Sequence, residues 1–262
     1  MTLLGVGTVS DLTRGGGNTT LGRIGVGYLY ADWKGQIQYS SPKFGGFSFN
    51  LAVVDPWGLV NLSGVSTDAG AFNQEAPDFL GSNGWEGKIN YAWEGDFNGK
   101  VWASFIYQKL ESATSGVGSE TADGFDVGFK VGIAGFEGVG YYYTGKGIGT
   151  TDFLFDAMDL GGKLRDSDGY YAQVTWKIPG PKTKIGVSYG ESKLDLNNTA
   201  ADTTIAGPAG LVEKNKSYVI GIYHPVTSAL NLVLEYTDTK SEAHNGNEAK
   251  EKAIALGAIL FY

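Results

Sequence analysis

From residue 35 onward, apolar and polar residues alternate with a period of two, the spacing of strands that carry one apolar and one polar face. The pattern is cleanest over residues 85–94, where Trp85, Gly87, Ile89, Tyr91 and Trp93 share one face while Glu86, Lys88, Asn90, Ala92 and Glu94 share the other. It recurs over 125–134, with Phe125, Val127, Phe129, Val131 and Ile133 opposed to Asp126, Gly128, Lys130, Gly132 and Ala134. Residues 170–178 repeat it, with Tyr170, Ala172, Val174, Trp176 and Ile178 against Tyr171, Gln173, Thr175 and Lys177. Weaker stretches at 35–41, 47–54, 100–110, 139–144, 182–190, 216–223, 229–239 and 252–262 bring the total to eleven predicted strands.

Periodicity alone leaves the environment of the apolar faces open, because a soluble sandwich could bury them against each other. The polar faces discriminate better. They carry small residues (Gly128, Gly132, Gly140, Gly186, Gly190, Gly221) with Lys and Glu between them, and aromatics gather toward strand ends on the apolar faces. An outward apolar band with aromatic girdles around a wet interior has this signature.

The links add a second regularity. Short turns at 42–46, 95–99, 135–137, 179–181 and 224–228 alternate with longer links at 55–84, 111–123, 145–168, 191–215 and 240–251. An up-and-down sheet would collect every tight turn at one end and every long loop at the other, as outer-membrane barrels do. A lysine facing lipid at mid-bilayer costs roughly 2–4 kcal/mol, so the register that turns Lys88, Lys130, Lys177 and Lys184 toward a lumen is favoured. With Glu86, Asn90, Asp126 and Gln173 they form the predicted pore lining, whose mixed sign would set a transverse field.

Composition narrows the chemistry further. The 262 residues include 41 Gly, 13 Phe, 15 Tyr and 6 Trp, two His and no Cys, which excludes disulfides, thiolate metal sites and thiol nucleophiles. A formal charge of −8 disfavours binding to phosphate backbones, so no nucleic-acid partner is expected. No apolar run reaches the length of a membrane helix, and residues 1–11 have no basic region followed by an apolar core.

The segment Gly35-Gln-Ile-Gln-Tyr-Ser-Ser-Pro-Lys-Phe-Gly-Gly-Phe47 resembles the strand-turn-strand element, of the type I-x-Y-x-S-P-x-F-x-G-F, that follows the constriction loop of Gram-negative general porins. The run from Ala253 to Tyr262 is similar to the family's terminal strand, with Ile254, Leu256, Leu260 and Tyr262 at alternate positions. It departs in that Ala255, Ile259 and Phe261 are apolar too. This drier inward face is expected to meet a neighbouring subunit, an internal plug or the periplasmic rim.

The resemblance implies an all-β, antiparallel up-and-down transmembrane barrel of sixteen strands, of which eleven or twelve are present here. This chain would be the C-terminal portion, or residues 3–9 would supply a twelfth strand, since an odd count cannot close with both ends periplasmic. It implies a single domain over 1–262. Residues 1–34 would be the inward-folded constriction-loop region, carrying Asp11, Arg14, Arg23 and Asp32, and 35–262 the wall. It also implies an outer-membrane location, lipid and lipopolysaccharide around the barrel, a homotrimer, no cofactor, and passive passage of small hydrophilic solutes and ions.

Rival chemistry is thin. The two imidazoles, His224 and His244, fall at opposite ends of the predicted barrel and cannot share a hydrolytic site. The run from Gly140 to Gly147 lacks the Ser or Thr and the following helix of a phosphate-binding loop. Asp152, Asp156, Asp159, Asp166 and Asp168 lack the spacing of a calcium loop and read as solvated loop acids. A soluble secreted all-β binding protein and a substrate-specific channel with an aromatic track (Trp102, Tyr142, Tyr171, Tyr223) stand as the alternatives.

Overall fold

The computed structural model describes residues 22–30, 34–58, 79–112, 119–159, 162–200, 202–203 and 210–261. The alternating segments form one antiparallel sheet: β1 (Gln36–Ser40), β2 (Phe47–Val54), β3 (Phe79–Gly81), β4 (Gly84–Trp93), β5 (Phe97–Ser112), β6 (Glu120–Ile133), β7 (Phe136–Lys146), β8 (Asp166–Lys177), β9 (Lys184–Leu194), β10 (Val212–Pro225), β11 (Leu230–Ala243) and β12 (Glu248–Leu260). Neighbours in sequence are neighbours in space, in the order β1-β2-β4 through β12. The short β3 stands off that path and pairs with the far end of β5 through Phe79↔Ser112 and Gly81↔Leu110, prolonging the ladder β4 makes with β5. Among the described residues eleven strands therefore make the up-and-down meander, which runs from β1 to β12 with no pairing between those two. Residues 3–9, the candidate for a further strand, lie outside the described residues.

The faces fall as the period-two pattern demands, with one large exception. Phe49, Ile89, Val101, Phe129, Val174, Val187, Ile220 and Leu234 all lie exposed on a continuous outer face, and Tyr91 is 37% exposed. A soluble sandwich would bury this surface, so the soluble reading is not favoured. Rings in mutual contact edge the face near the tight turns: Phe47 with Tyr91 (centroids 4.6 Å apart), Trp93 with Phe97 (5.8 Å) and Phe136 with Trp176 (5.6 Å). Tyr170 with Tyr189 (6.1 Å) and Tyr218 with Tyr236 (6.2 Å) edge it toward the other end. From Phe97 to Tyr107 along β5, ten residues rise roughly 33 Å, or about 23 Å of membrane normal at a 45° tilt. That matches the apolar band of an outer-membrane barrel.

The exception is β7. The sequence pattern places Gly140 and Tyr142 on the polar face, but both look outward, Tyr142 being 43% exposed, while Tyr141 and Tyr143 face inward. The tyrosine triplet has no parity of its own. Parity is set by the tight turn joining Ile133 to Phe136, a cross-strand pair with both side chains outside, and by room for the Phe129 ring over Gly140.

The strands also run past the ends of their apolar faces. The segment 240–251, read as a long link, is mostly ladder: β11 and β12 pair from Leu230↔Leu260 to Glu242↔Glu248, leaving only residues 244–247 as a turn. Cross-strand ion pairs, Lys216 with Glu242 (2.9 Å) and Lys252 with Asp238 (3.5 Å) among them, occupy the positions that apolar residues fill lower down, which is why hydropathy stops marking the strand. The link at 111–123 likewise shortens to residues 113–119.

The apolar core lies inside the sheet at the long-loop end, where Ile148, Phe153, Leu154, Ala157 and Met158 pack on Leu110, Ala122, Tyr143 and Leu164. A smaller group, Val219, Tyr223 and Val233, receives Ile259. This accounts for Ile259 on the dry inward face of the terminal strand, whereas Phe261 stays exposed.

Candidate functional site

The inner face is organised as rows that cross the strands. One row reads Asn50, Lys88, Ser104, Asp126 and Tyr143 on successive strands; the next reads Ser48, Asn90, Trp102, Gly128, Tyr141 and Tyr171. The Ser104 hydroxyl donates to the Asp126 carboxylate. The ammonium groups of Lys88 and Lys100 stand 5.5 and 5.1 Å from the centre of the Trp102 ring system. Tyr141 stacks beside Trp102 at 6.5 Å and reaches Tyr171 at 5.4 Å and Tyr28 at 5.5 Å. These groups border a cavity of about 500 Å³, together with Gln38, Asn50 and Glu86.

Two segments lie against this face from within. Residues 22–30 form a tight loop, closed by Tyr28 N donating to Arg23 O (3.0 Å) and Gly25 N to Tyr28 O (2.8 Å). Its Arg23, 4% exposed, donates to the carbonyls of Ser217 (2.7 Å) and Ser188 (2.9 Å), fastening the loop to β10 and β9. Burial pushes the Arg23 pKa down to about 10, opposed by the negative field of Glu235 and by Tyr171, so it stays cationic at neutral pH. Gly27, at φ +108°, comes so close to β8 that a Cβ there would lie 2.2 Å from Tyr170 O, and its N–H donates to Ser192 Oγ (2.8 Å). Burial raises the Tyr28 pKa, with the charge of Asp126 adding to it, so this phenol is a neutral donor beside the cavity.

The second segment, residues 147–159, is joined to the first through Tyr30 N to Thr151 O (3.0 Å) and Phe153 N to Tyr30 O (2.9 Å). Beyond it the Arg165 guanidinium grips Asp202 through Nε (3.0 and 3.1 Å to the two carboxylate oxygens) and donates to Asp156 O (2.6 Å). Asp202 also accepts from Asn197 N (2.8 Å), and Thr199 Oγ1 donates to Asp159 (2.6 Å). The two long loops are thereby knotted together around a pair whose side chains are 2% and 0% exposed.

The predicted lining residues all lie on the inner face, but they do not form one cluster. Glu86, Lys88 and Asp126 share the cavity, where Glu86 also pairs with Lys34, and Asn90 sits in the adjacent row beside Trp102. Lys130 pairs with Glu137 (2.7 Å) nearer the tight turns, and Lys177 and Lys184 face each other across β8 and β9 at that end. Gln173 is on the same face but buried, 2% exposed. Of the four residues expected in an inward loop, Arg23 is a wall anchor, whereas Asp11, Arg14 and Asp32 lie outside the described residues. Lys100, Ser104, Tyr28 and Tyr141 are additions. Lys100 and Ser104 share the polar face of the 100–110 alternation with Trp102, which was the available cue. Of the proposed aromatic track, Trp102 and Tyr171 border the cavity, Tyr142 faces outward, and Tyr223 is buried with its hydroxyl on Glu235.

The other sequence features take ordinary places. The 140–147 run is strand through Lys146. Among the described residues no three His, Asp or Glu side chains gather as a metal site. His224 bonds Thr183 Oγ1 through Nδ1 (2.8 Å), while His244 contacts Leu194 O through Nε2 (2.9 Å) at the opposite end of β11.

An up-and-down antiparallel wall, apolar outside and polar within, with a loop folded against its inner face, defines the class of outer-membrane barrel walls. The family model described as Gram-negative porin matches residues 2–255, and the chain belongs to that family, whose place is the outer membrane. Family and fold point to a channel rather than an enzyme. Comparison with curated protein sequences finds no match. Among solved structures, the outer membrane channel DcaP of Acinetobacter baumannii superposes with a TM-score of 0.69 at 16% identity, over 91% of this chain and 64% of that one. The anion-selective porin from Comamonas acidovorans gives 0.49 at 13% identity, over 86% and 57%. The chain thus spans less than two thirds of the length of either structure.

Proposed function

We propose that the protein forms a water-filled outer-membrane channel through which small hydrophilic solutes and ions diffuse passively. The observation that carries this reading is the division of one sheet into an exposed apolar outer face and an inner face of Lys88, Lys100, Asp126, Asn50 and Glu86 around a cavity. In this reading residues 35–262 are the wall, and 1–34 are the inward segment that narrows the lumen, held by Arg23. Glu86, Lys88, Asn90, Asp126, Lys130, Lys177 and Lys184 line the path, with Gln173 packed beneath it. Opposed cations and carboxylates on one inner surface orient water and polar solutes, so size and charge arrangement set selectivity.

Family membership supports a homotrimer embedded in lipid and lipopolysaccharide. Conductance in planar bilayers tests the function: stepwise, ohmic channel insertions with a reversal potential under a salt gradient are expected. A folded, membrane-inserted protein that leaves the bilayer insulating would overturn it. Cross-linking in native membranes tests the trimer.

A further inference from the structure

Within that channel reading, we propose that the cavity beside Trp102 is a binding site for flat aromatic monocarboxylates of the benzoate class. Two features point to such a ligand. The first is a pair of cations that lack a direct ion-pair partner. Lys88 and Lys100 both stand over the Trp102 ring system, within the roughly 6 Å range of cation–π attraction, and neither has a carboxylate within ion-pair distance among the described residues. The ring face steadies the ammonium groups without neutralising them, so an incoming carboxylate meets positive charge held in place. Asp126, fixed by Ser104, lies in the row of Lys88, while Lys100 lies one row beyond Trp102 on the far side. A ligand carboxylate is therefore drawn toward Lys100, and a second carboxylate directed at Asp126 would be repelled.

The second feature is a continuous π surface. Tyr141 stacks on Trp102 with planes 27° apart, and Tyr28 and Tyr171 flank Tyr141. Gly128 stands between Trp102 and Tyr141 in the ladder, and its lack of a side chain is what lets the two rings meet across β6. A planar ring meets the Tyr28, Tyr141 and Tyr171 rings beside the cationic pair, and about 500 Å³ falls within the range of small-molecule pockets. The arrangement recognises a ring and a single negative charge together, and a neutral sugar would leave the two ammonium groups without a counter-charge.

The test is calorimetric titration of the full chain, folded in detergent, with benzoate, benzyl alcohol and glucose, read alongside bilayer conductance. Saturable benzoate binding is expected, with benzyl alcohol and glucose at least about tenfold weaker, which is the loss of one charge-assisted contact. Lys100→Gln should weaken benzoate about tenfold, Lys88→Gln/Lys100→Gln should abolish it, and Trp102→Phe, which keeps a ring and guards against misfolding, should hold within a few-fold of the parent. Absence of saturable benzoate binding, equal binding of benzyl alcohol, or binding indifferent to the double lysine replacement would each overturn the site. The two readings fail separately: conductance without benzoate binding removes the site and leaves the channel, whereas binding without conductance removes the channel and leaves the site.

Discussion

Gly128 stands directly opposite Trp102 in the β5–β6 ladder, and a Cβ built on it would fall 2.1 Å from the indole Cζ2. The indole lies flat over the glycine because no other residue leaves room for it. Gly128→Ala is therefore expected to displace the ring, destabilising the fold by about 1–3 kcal/mol, the usual range for overpacking. Gly138→Ala is the control, since its Cβ would meet nothing closer than Val131 Cγ2 at 3.6 Å. Urea refolding into detergent, followed by tryptophan emission, should separate the two; equal midpoints would show that the indole has another place to lie.

Outer and inner positions of one strand should respond oppositely to charge. Val127 is 41% exposed on the outer face, whereas its neighbour Asp126 looks inward. Val127→Arg in lipid is expected to destabilise by roughly 2–4 kcal/mol, while Asp126→Asn should fold normally. Folding titrations in vesicles check both. In detergent alone the penalty of Val127→Arg should shrink, because the arginine can reach water.

How far the sequence disclosed this architecture depended on whether two signals coincided. Where a charge and an aromatic alternate, as in Trp85 to Glu94, strand and face followed from periodicity, and the environment from the small and charged residues of the polar faces and the alternating link lengths. Tyr141, Tyr142 and Tyr143 offered no such contrast, and the face of β7 was settled instead by the turn joining Ile133 to Phe136 and by the Phe129 ring over Gly140. Strand ends above the apolar band, such as Lys240 to Ala243, were hidden because cross-strand ion pairs do the work of apolar pairs there. The candidate site was legible residue by residue at Lys88 and Asp126, but the meeting of Lys88 with Lys100 over one indole depends on register across β4 and β5. The burial of Arg23 against β9 and β10, strands far from it in sequence, had no local signature at all.

The Arg165–Asp202 pair should act as the knot between the long loops. Asp202→Ala leaves a buried guanidinium without its counter-charge, a change that typically destabilises by about 3–5 kcal/mol. Because the pair sits among loops beyond the ends of β7, β8 and β9, the loss is expected to appear locally, as faster protease cleavage within residues 147–165 and 195–211 and faster amide exchange at Asn197. The barrel strands should keep their protection. Replacing both partners with apolar residues, Arg165→Met with Asp202→Leu, should recover much of the resistance. Cleavage unchanged in Asp202→Ala would show that Asp159, Thr199 and Asn197 suffice to hold the loops.

Arg23 offers the most direct handle on the inward segment. Its guanidinium is tied to two wall carbonyls, and the loop it carries touches the wall again at Gly27, where β8 leaves no space for a side chain. Removing either tether should loosen residues 22–30. Arg23→Met keeps the stem that packs against the wall and deletes both hydrogen bonds; Gly27→Val keeps Arg23 but drives a side chain into the Tyr170 carbonyl. If the segment narrows the lumen, both should raise single-channel conductance and its noise, by a factor of about two or more in the arginine variant, with the larger pore also admitting bulkier sugars in liposome-swelling assays. The two variants must agree, since they share only the detachment of the loop. A conductance that falls in both, or moves in opposite directions, would mean that the segment supports the wall without obstructing the path.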